Sequence, residues 1–308
     1  MSLHIPVLRE EVLAHLRIQT EGIYVDCTFG RGGHSKAILS ELGDKGGLVA
    51  IDRDPEAFEA AKRELSSDRR FHIEQGPFTM LATLAEKLGI EAKVDGVLFD
   101  LGVSSAQLEN PRRGFSFLRQ GPLDMRMDPG VGVSAAAWLA AASHQEIVRV
   151  IREYGEERYA KPIARAIVEM RKQAPLATTE QLTRLLERVK PVHERAIHPA
   201  TRCFQAIRIF INDEVNQLKT ALGQAVNILR PGGRLLVISF HSLEHRIVKR
   251  FLTEQARGDP YPPELPVMQS QIKPRLRIVG RPIHPKPMEI RSNPRSRSAT
   301  LRVAEKLP

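Results

Sequence analysis

Two cysteines in 308 residues are too few for a disulfide framework, and Cys27 and Cys203 stand at no metal-ligand spacing. A reduced, cytoplasmic setting is the simplest expectation. No apolar run approaches the ~18 residues that a membrane-spanning helix needs. Arg9, Glu10 and Glu11 interrupt any signal-like apolar core at the start. The chain holds no G-x-x-x-x-G-K-[ST] string, which excludes a P-loop. His193 and His198 are five apart with no third ligand in pattern, so no metal is expected. Negative charge is the minority: 36 Asp and Glu stand against 46 Lys and Arg, a net +10. Between Arg257 and Arg302 there are ten Lys and Arg and only three Asp and Glu. A polyanionic partner is the natural inference.

What is present centres on Tyr24-Val-Asp-Cys-Thr-Phe-Gly-Arg-Gly-Gly-His-Ser35. Gly22 to Asp26 reads as a short buried strand, followed by a glycine turn and a helix from about Ser35 to Leu42. Leu48 to Asp52 is a second buried strand, ending in an acid 20 residues after Gly32. An acid at that distance suits ribose hydroxyls. A dinucleotide fingerprint would end in Gly or Ala where this chain has Ser35, and Asp26 precedes the glycines. That acid suits a cationic ligand better than a pyrophosphate. S-adenosylmethionine, with its ammonium, sulfonium and ribose, is such a ligand.

The length fits one large or two ordinary domains. Pro6 to Leu16 carries a helical apolar stripe expected to cover a sheet edge or the cofactor. Asp54 and Pro55 open a helix as N-cap and first residue. Further strands are expected at Arg70 to Glu74, Val94 to Asp100, Arg234 to Ser239 and Ser298 to Ala304, with helices between. This alternation predicts an α/β, mostly parallel, Rossmann-like sheet with ligands at the carboxyl ends of its strands, where Asp26, Asp52 and Asp100 lie. Leu101 to Gln107 reads as loop. From Ser134 to about Lys190 only helical periodicity occurs, with Thr179 and Glu180 opening its last helix. Residues 106–199 are therefore expected to be an inserted all-helical domain, with 1–105 and 200–308 forming the sheet domain. Arg257 to Pro294 holds nine prolines and reads as mostly extended or loop.

Several strings carry a family resemblance. They are Asp26-Cys-Thr-Phe-Gly-Arg-Gly-Gly-His-Ser35, Ala50-Ile-Asp-Arg-Asp-Pro55, Asp100-Leu-Gly-Val-Ser-Ser105, Arg113-Gly-Phe-Ser-Phe117 and Gly121-Pro-Leu-Asp-Met-Arg-Met-Asp-Pro129. Tyr154-Gly-Glu-Glu-Arg158, His198-Pro-Ala-Thr-Arg202, Ser239-Phe-His-Ser-Leu-Glu244 and Asn293-Pro-Arg295 complete the set. Together and in order they resemble the bacterial ribosomal-RNA cytosine-N4 methyltransferases, the RsmH or MraW family, over essentially the whole chain. The resemblance implies a class I S-adenosylmethionine-dependent methyltransferase fold with an inserted helical domain for RNA or substrate recognition. It implies methylation of the exocyclic N4 of a decoding-centre cytidine of 16S ribosomal RNA, within the small ribosomal subunit; a homodimer is left open. Carried over residue by residue, the cofactor contacts are Gly32, Gly33, His34, Asp52, Phe78, Asp100 and Gln107.

A cytosine amine is a poor nucleophile, because its lone pair is delocalised into the ring. Acceptors on its N–H groups would help it. Other amino-methyltransferases use a D/N/S-P-P-Y/F/W string after the fourth strand; here that position reads Asp100-Leu-Gly-Val103. The acid fits and makes Asp100 the catalytic candidate, but the prolines and the stacking aromatic are missing. Phe115, Phe117 and Phe240 are candidate stacking surfaces, and Asp124 or Asp128 are alternative acceptors. Arg126, Arg202, His241, Arg295 and Arg297 are candidate phosphate or base contacts. Rival readings are a DNA amino-methyltransferase, against which the missing string argues, and a non-catalytic RNA-binding protein, against which the glycine loop and strand-end acids argue. A nicotinamide oxidoreductase is disfavoured by Ser35 and by the acid ahead of the loop.

Overall fold

The structure, a computed structural model, describes residues 6–190, 198–258 and 273–308. Its sheet has seven strands: β1 (Ile23–Asp26), β2 (Gly47–Asp52), β3 (Phe71–Gln75), β4 (Val94–Asp100), β5 (Leu229–Ser239), β6 (Leu276–Ile278) and β7 (Thr300–Lys306). The order is β3-β2-β1-β4-β5-β7-β6. β1 to β5 pair in parallel, and β7 alone runs against its neighbours. This is a mostly parallel, Rossmann-like sheet. The helices are α1 (Arg9–Leu16), α2 (Gly33–Glu41), α3 (Pro55–Leu65), α4 (Leu81–Leu88), α5 (Ser105–Glu109), α6 (Ala135–Ala141) and α7 (His144–Gly155). They continue with α8 (Ala160–Gln173), α9 (Thr179–Val189), α10 (Thr201–Ile211), α11 (Glu214–Ile228), α12 (Ser242–Arg257) and α13 (Pro287–Ser292).

The chain divides into two compact units, residues 1–102 with 216–308, and residues 103–215. In the first, the period of two along each strand assigns side chains to opposite faces of a doubly covered sheet. Val97 and Phe99 of β4 join Leu235 and Val237 of β5 in one core, under α4, α11 and α12. Leu98, Leu236 and Ile238 point the other way, into a core closed by Leu8, Val12 and Leu16 of the α1 segment and Ile38 and Leu39 of α2. The α1 segment therefore packs on a face of the sheet rather than covering its edge. Asp54 caps α3 as its position ahead of Pro55 requires, accepting from the Glu56 N–H at 3.0 Å. Pairing of β5 with β4 jumps from Leu229 to Arg234, so Arg230 to Gly233 form a looped-out turn. β6 and α13 lie in the segment expected to be extended or loop.

The second unit buries Phe115, Leu123, Met125, Trp138, Ile147, Ile151, Ile163, Leu182 and Leu186 in one core. Cys203, Phe204, Ala206 and Ile207 of α10 belong to that core too. This burial moves the junctions from the expected 105/106 and 199/200 to 102/103 and 215/216. α7 and α10 approach so closely that a Cβ on Gly155 would lie 2.6 Å from the Arg202 carbonyl oxygen. The stretch expected to be loop contains α5, because Ser104 and Gln107 cap its first turn reciprocally. The cap of α9 is Thr178, paired with Gln181. The Thr179 hydroxyl instead donates to the Arg119 carbonyl at 2.8 Å. The Lys190 ammonium is buried against Glu157 at 2.6 Å and donates to the Pro199 carbonyl at 3.0 Å. His193 lies outside the described residues.

Asn212 ends α10 and ties down the 125–127 segment. Its amide nitrogen donates to the carbonyls of Met125 (2.7 Å) and Arg208 (2.8 Å), and its oxygen accepts from the Met127 N–H at 2.8 Å. Asn212→Ala strands a buried N–H and a buried carbonyl. A loss of about 2–4 kcal/mol is expected from the desolvation cost of such groups. Denaturant titration of the purified variant checks it; a loss below about 1 kcal/mol would show that those groups find other partners.

Candidate functional site

The parallel register brings three carboxylates to one end of the sheet. Asp26 ends β1 opposite Ala50 and Leu98. Asp52 and Asp100 each lie two residues beyond those partners. Past Asp26 the chain stays between its neighbours: the Cys27 N–H donates to the Leu98 carbonyl (2.9 Å) and the Phe29 N–H to the Ile51 carbonyl (3.1 Å). A bend with Gly30 and Gly32 at positive φ then starts α2.

Each acid has a different role. Asp26 is fully buried. One oxygen accepts from the Thr28 N–H at 3.0 Å and the other from the Ser35 hydroxyl at 2.6 Å. Asp26 thus clasps both limbs of the bend and faces inward, so it is not the ligand-facing acid that its position ahead of the glycines suggests. Asp52 holds the far side, accepting from the Gly30 N–H (2.7 Å) and the Asp54 N–H (2.8 Å). Burial, aided by Asp54 and Asp26, lifts its pKa to about 6 even against those two N–H groups. Asp100 is lifted to about 8 by burial, then by the charges of Asp26 and Glu244. Its Oδ1 is covered and has no hydrogen-bond partner among the described residues. Its Oδ2 lies 3.7 Å from His34 Nε2, on the first turn of α2. A buried carboxylate oxygen without a donor is costly unless a ligand supplies one.

Gly32 and Gly33 form the floor of the bend. A Cβ on Gly32 would stand 2.5 Å from the Phe29 ring, at φ +71°. Phe78 follows β3, half-buried, with its ring edge-on to Phe99 at 5.8 Å. Crowded, buried carboxylates suit a ligand that is cationic and carries hydroxyl donors. The candidate cofactor residues in this unit are Gly32, Gly33, His34, Asp52, Phe78 and Asp100. Gln107 belongs to the helical unit, is buried there and accepts from the Ser104 N–H at 2.9 Å.

Two further members escape sequence inspection. The Thr28 hydroxyl accepts from the Asp100 N–H at 2.7 Å, which pins the tip of β4 to the bend. Its signal is an Asx-type spacing, two residues after an acid. Glu244 is buried, accepts from the Phe240 N–H at 2.8 Å and raises the pKa of Asp100. The Glu three residues after the N-cap His241 marks it.

The substrate candidates fall in several places. Phe240 is half-buried directly after β5. His241 caps α12, with Nε2 3.1 Å from Glu244. Arg295 and Arg297 are exposed on a 3-10 turn, Pro294–Ser298. In the helical unit Phe115 is 6% exposed, with the Arg113 guanidinium over its ring at 5.9 Å. It is a core group rather than a stacking surface. Asp124 and Arg126 hold each other through two hydrogen bonds, 2.9 and 2.7 Å. Against the upward push of burial, that pair keeps Asp124 below its ordinary value, so it acts as a structural clasp. The neighbouring acid Asp128 accepts from the Gly130 N–H at 2.8 Å. Phe117 stacks on His198 at 4.5 Å, and Arg202 lies half-buried on α10.

The bend tests itself by substitution. Gly32→Ala combines positive φ with a ring clash and is expected to lower stability by about 2 kcal/mol or more. Gly47→Ala, which meets open space, is the control and stays within about 0.5 kcal/mol of the parent. Thermal melting compares the two, and equal melting temperatures would remove the steric account.

A family model described as the MraW methylase family matches residues 1–307. A protein named Ribosomal RNA small subunit methyltransferase H from Thioalkalivibrio sulfidiphilus is 55% identical over 305 residues, 99% of this chain and 97% of that one. Its namesake from Nitrosococcus oceani is 54% identical over 307 residues, 99% of this chain and 98% of that one. The one from Methylococcus capsulatus is 56% identical over 297 residues, 96% of this chain and 98% of that one. Matched from residue 1 to residue 307 and more than half identical to these relatives, the chain belongs to the MraW methylase family.

Proposed function

We propose that this protein transfers a methyl group from S-adenosylmethionine to the exocyclic N4 of a decoding-centre cytidine in 16S ribosomal RNA, in the cytoplasm and on the small ribosomal subunit. The observation that carries the reading is identity above one half, end to end, with proteins named Ribosomal RNA small subunit methyltransferase H. The site supports it. Asp52 accepts the ribose hydroxyls alongside the Gly30 and Asp54 N–H groups, and Asp100, whose Oδ1 has no donor among the described residues, meets the positive charge. Phe78 packs beside the adenine, and Gln107 is a cofactor contact carried over from the family resemblance.

S-adenosylmethionine supplies, when bound, a methyl carbon activated by its sulfonium. The protein must bring the amine to it in line, and such positioning is worth many powers of ten. The target cytidine leaves its stack to enter the site. Asp100 Oδ1 accepts one N4–H, which turns the lone pair out of conjugation. As the N4–carbon bond forms and the methyl–sulfur bond breaks, that proton passes to the carboxylate, which the bound cation leaves ionised. Phe240 takes the place of the missing D-P-P-Y aromatic, because it lies two residues past Ile238, the partner of Asp100 in the sheet. Phe117 and Arg202 of the helical unit contact the RNA.

The pH dependence follows from the raised acids. From about pH 4 the folded state holds protons that the unfolded chain has lost, on Asp52 up to about pH 6 and on Asp100 up to about pH 8, so stability without cofactor falls as pH rises. Asp100→Asn removes the buried charge. The variant should melt higher than the parent at about pH 8, with the difference vanishing near pH 4, while binding S-adenosylmethionine at least ~tenfold more weakly. In the parent, cofactor binding near pH 7 should release protons, read by calorimetry in buffers of different ionisation enthalpy. Heats independent of buffer, or unchanged binding in Asp52→Ala and Asp100→Ala, would refute the cofactor site. For the substrate, mass spectrometry of small-subunit RNA from a deletion strain should lack one N4-methyl; an intact methyl rules that substrate out.

A further inference from the structure

The positive charge near the end of the chain is held on a fixed piece of backbone. After β6, the Val279 N–H donates to the Val303 carbonyl, and Ile283 and Leu301 exchange two hydrogen bonds of 2.9 Å. α13 follows, then the Pro294–Ser298 turn. Ser296 at the centre of that turn is fully buried, its hydroxyl donating to the Asn293 carbonyl at 2.8 Å and its carbonyl accepting from the Ala299 N–H at 2.7 Å. Arg295 and Arg297 flank this anchor and are both exposed, as is Arg291 one turn earlier. Arg291 and Arg297 have no ion-pair partner among the described residues. The one acid of the segment, Glu289, is committed elsewhere, accepting from the Leu8 N–H at 2.8 Å. Lys286 pairs with Glu11 at 3.4 Å. The arginines thus stand on a backbone already ordered, and binding need not bear that entropy cost.

The place of this strap in the fold gives it a partner. The turn feeds β7, whose first residue, Thr300, pairs with Ser239 at the carboxyl end of β5, beside the Ile238–Asp100 pair. At its other end Glu289 holds the backbone of Leu8. Pro6, two residues before Leu8, lies close enough to Gly33 that a Cβ there would be 3.1 Å away. The strap therefore borders the same end of the sheet as the cofactor bend and Asp100. The geometry points to a phosphate clamp: Arg291, Arg295 and Arg297 grip the RNA backbone next to the cytidine whose base enters the site. This rests on the RNA-methyltransferase reading and adds the surface that holds the strand. Arginine forks match phosphate geometry, and such contacts hold a strand in register without reading its sequence.

Each single-strand phosphate neutralised contributes about 0.7 to the slope of log affinity against log salt. The probe is a fluorescein-labelled single-stranded RNA oligonucleotide carrying the target cytidine, titrated with full-length protein at several salt concentrations. Arg295→Ala/Arg297→Ala should bind about tenfold more weakly, with a salt slope smaller by about 1.4. Arg295→Lys/Arg297→Lys should keep the slope while losing part of the affinity. Arg250→Ala, an exposed change on α12, should match the parent. Calorimetry should give the Ala pair an unchanged affinity for S-adenosylmethionine. Parental slope and RNA affinity in the Ala pair would overturn the clamp and leave the methyltransferase reading standing. A parent protein that binds the RNA with the expected slope, yet methylates no small-subunit RNA, would fail the function alone.

Discussion

The carboxyl ends of β1, β2 and β4 are tied together by one buried carboxylate. Asp26 spends both oxygens inside the protein, on the Thr28 N–H and the Ser35 hydroxyl. Those bonds fold the chain back on itself directly after β1 and set the start of α2. Thr28, so fixed, receives the Asp100 N–H and aligns the tip of β4. Gly30, carried at the crest of the bend, donates to Asp52 and aligns the tip of β2. Three strand ends are thereby tied through one side chain that need never touch a ligand. Hydrogen bonds to a charged group are roughly twice as strong as neutral ones, so a carboxylate is an effective knot for such a bend.

The same knot creates the site's electrostatic character. Burial raises the proton affinity of Asp52 and Asp100, and the charge of Asp26 adds to it at both. Without a cation the fold carries buried like charges that it can relieve only by taking up protons. A ligand with a sulfonium and an ammonium relieves them instead. Ground-state strain of this kind accumulates at functional sites.

Local signals were the legible ones. Alternation marked β4 and β5, Asp54-Pro55 marked the cap of α3, and the spacing of Gly32 and Asp52 marked the bend and its acid. Each of these is set by residues close in the chain. What was hidden depends on partners far away or on the direction a side chain takes, which spacing does not encode. The allegiance of α10 is decided by Phe204 and Ile207 packing on helices before it, which no periodicity encodes. Phe115 and Phe240 look alike in sequence, yet one is enclosed by the helical core and the other ends a strand. Asp124 read as a free acceptor because nothing in its spacing shows that Arg126 folds back onto it. The inward turn of Asp26 was hidden for the same reason, since its partner Ser35 lies nine residues on.

The antiparallel β7 explains why the end of the chain matters to a site built by its beginning. A parallel strand at that position would enter the sheet from the opposite edge and leave its preceding loop far from the cofactor. Because β7 runs the other way, the residues before it arrive at the carboxyl end of β5. The segment carrying Arg291, Arg295 and Arg297 is therefore delivered to the functional edge by topology alone. The Glu289–Leu8 bond then joins it to the segment that packs on Gly33. Charge that would be diffuse on a solvated tail is held on ordered backbone at the same end of the sheet as Asp100. Strand direction thus links the excess of basic residues late in the sequence to the acids that terminate β1, β2 and β4.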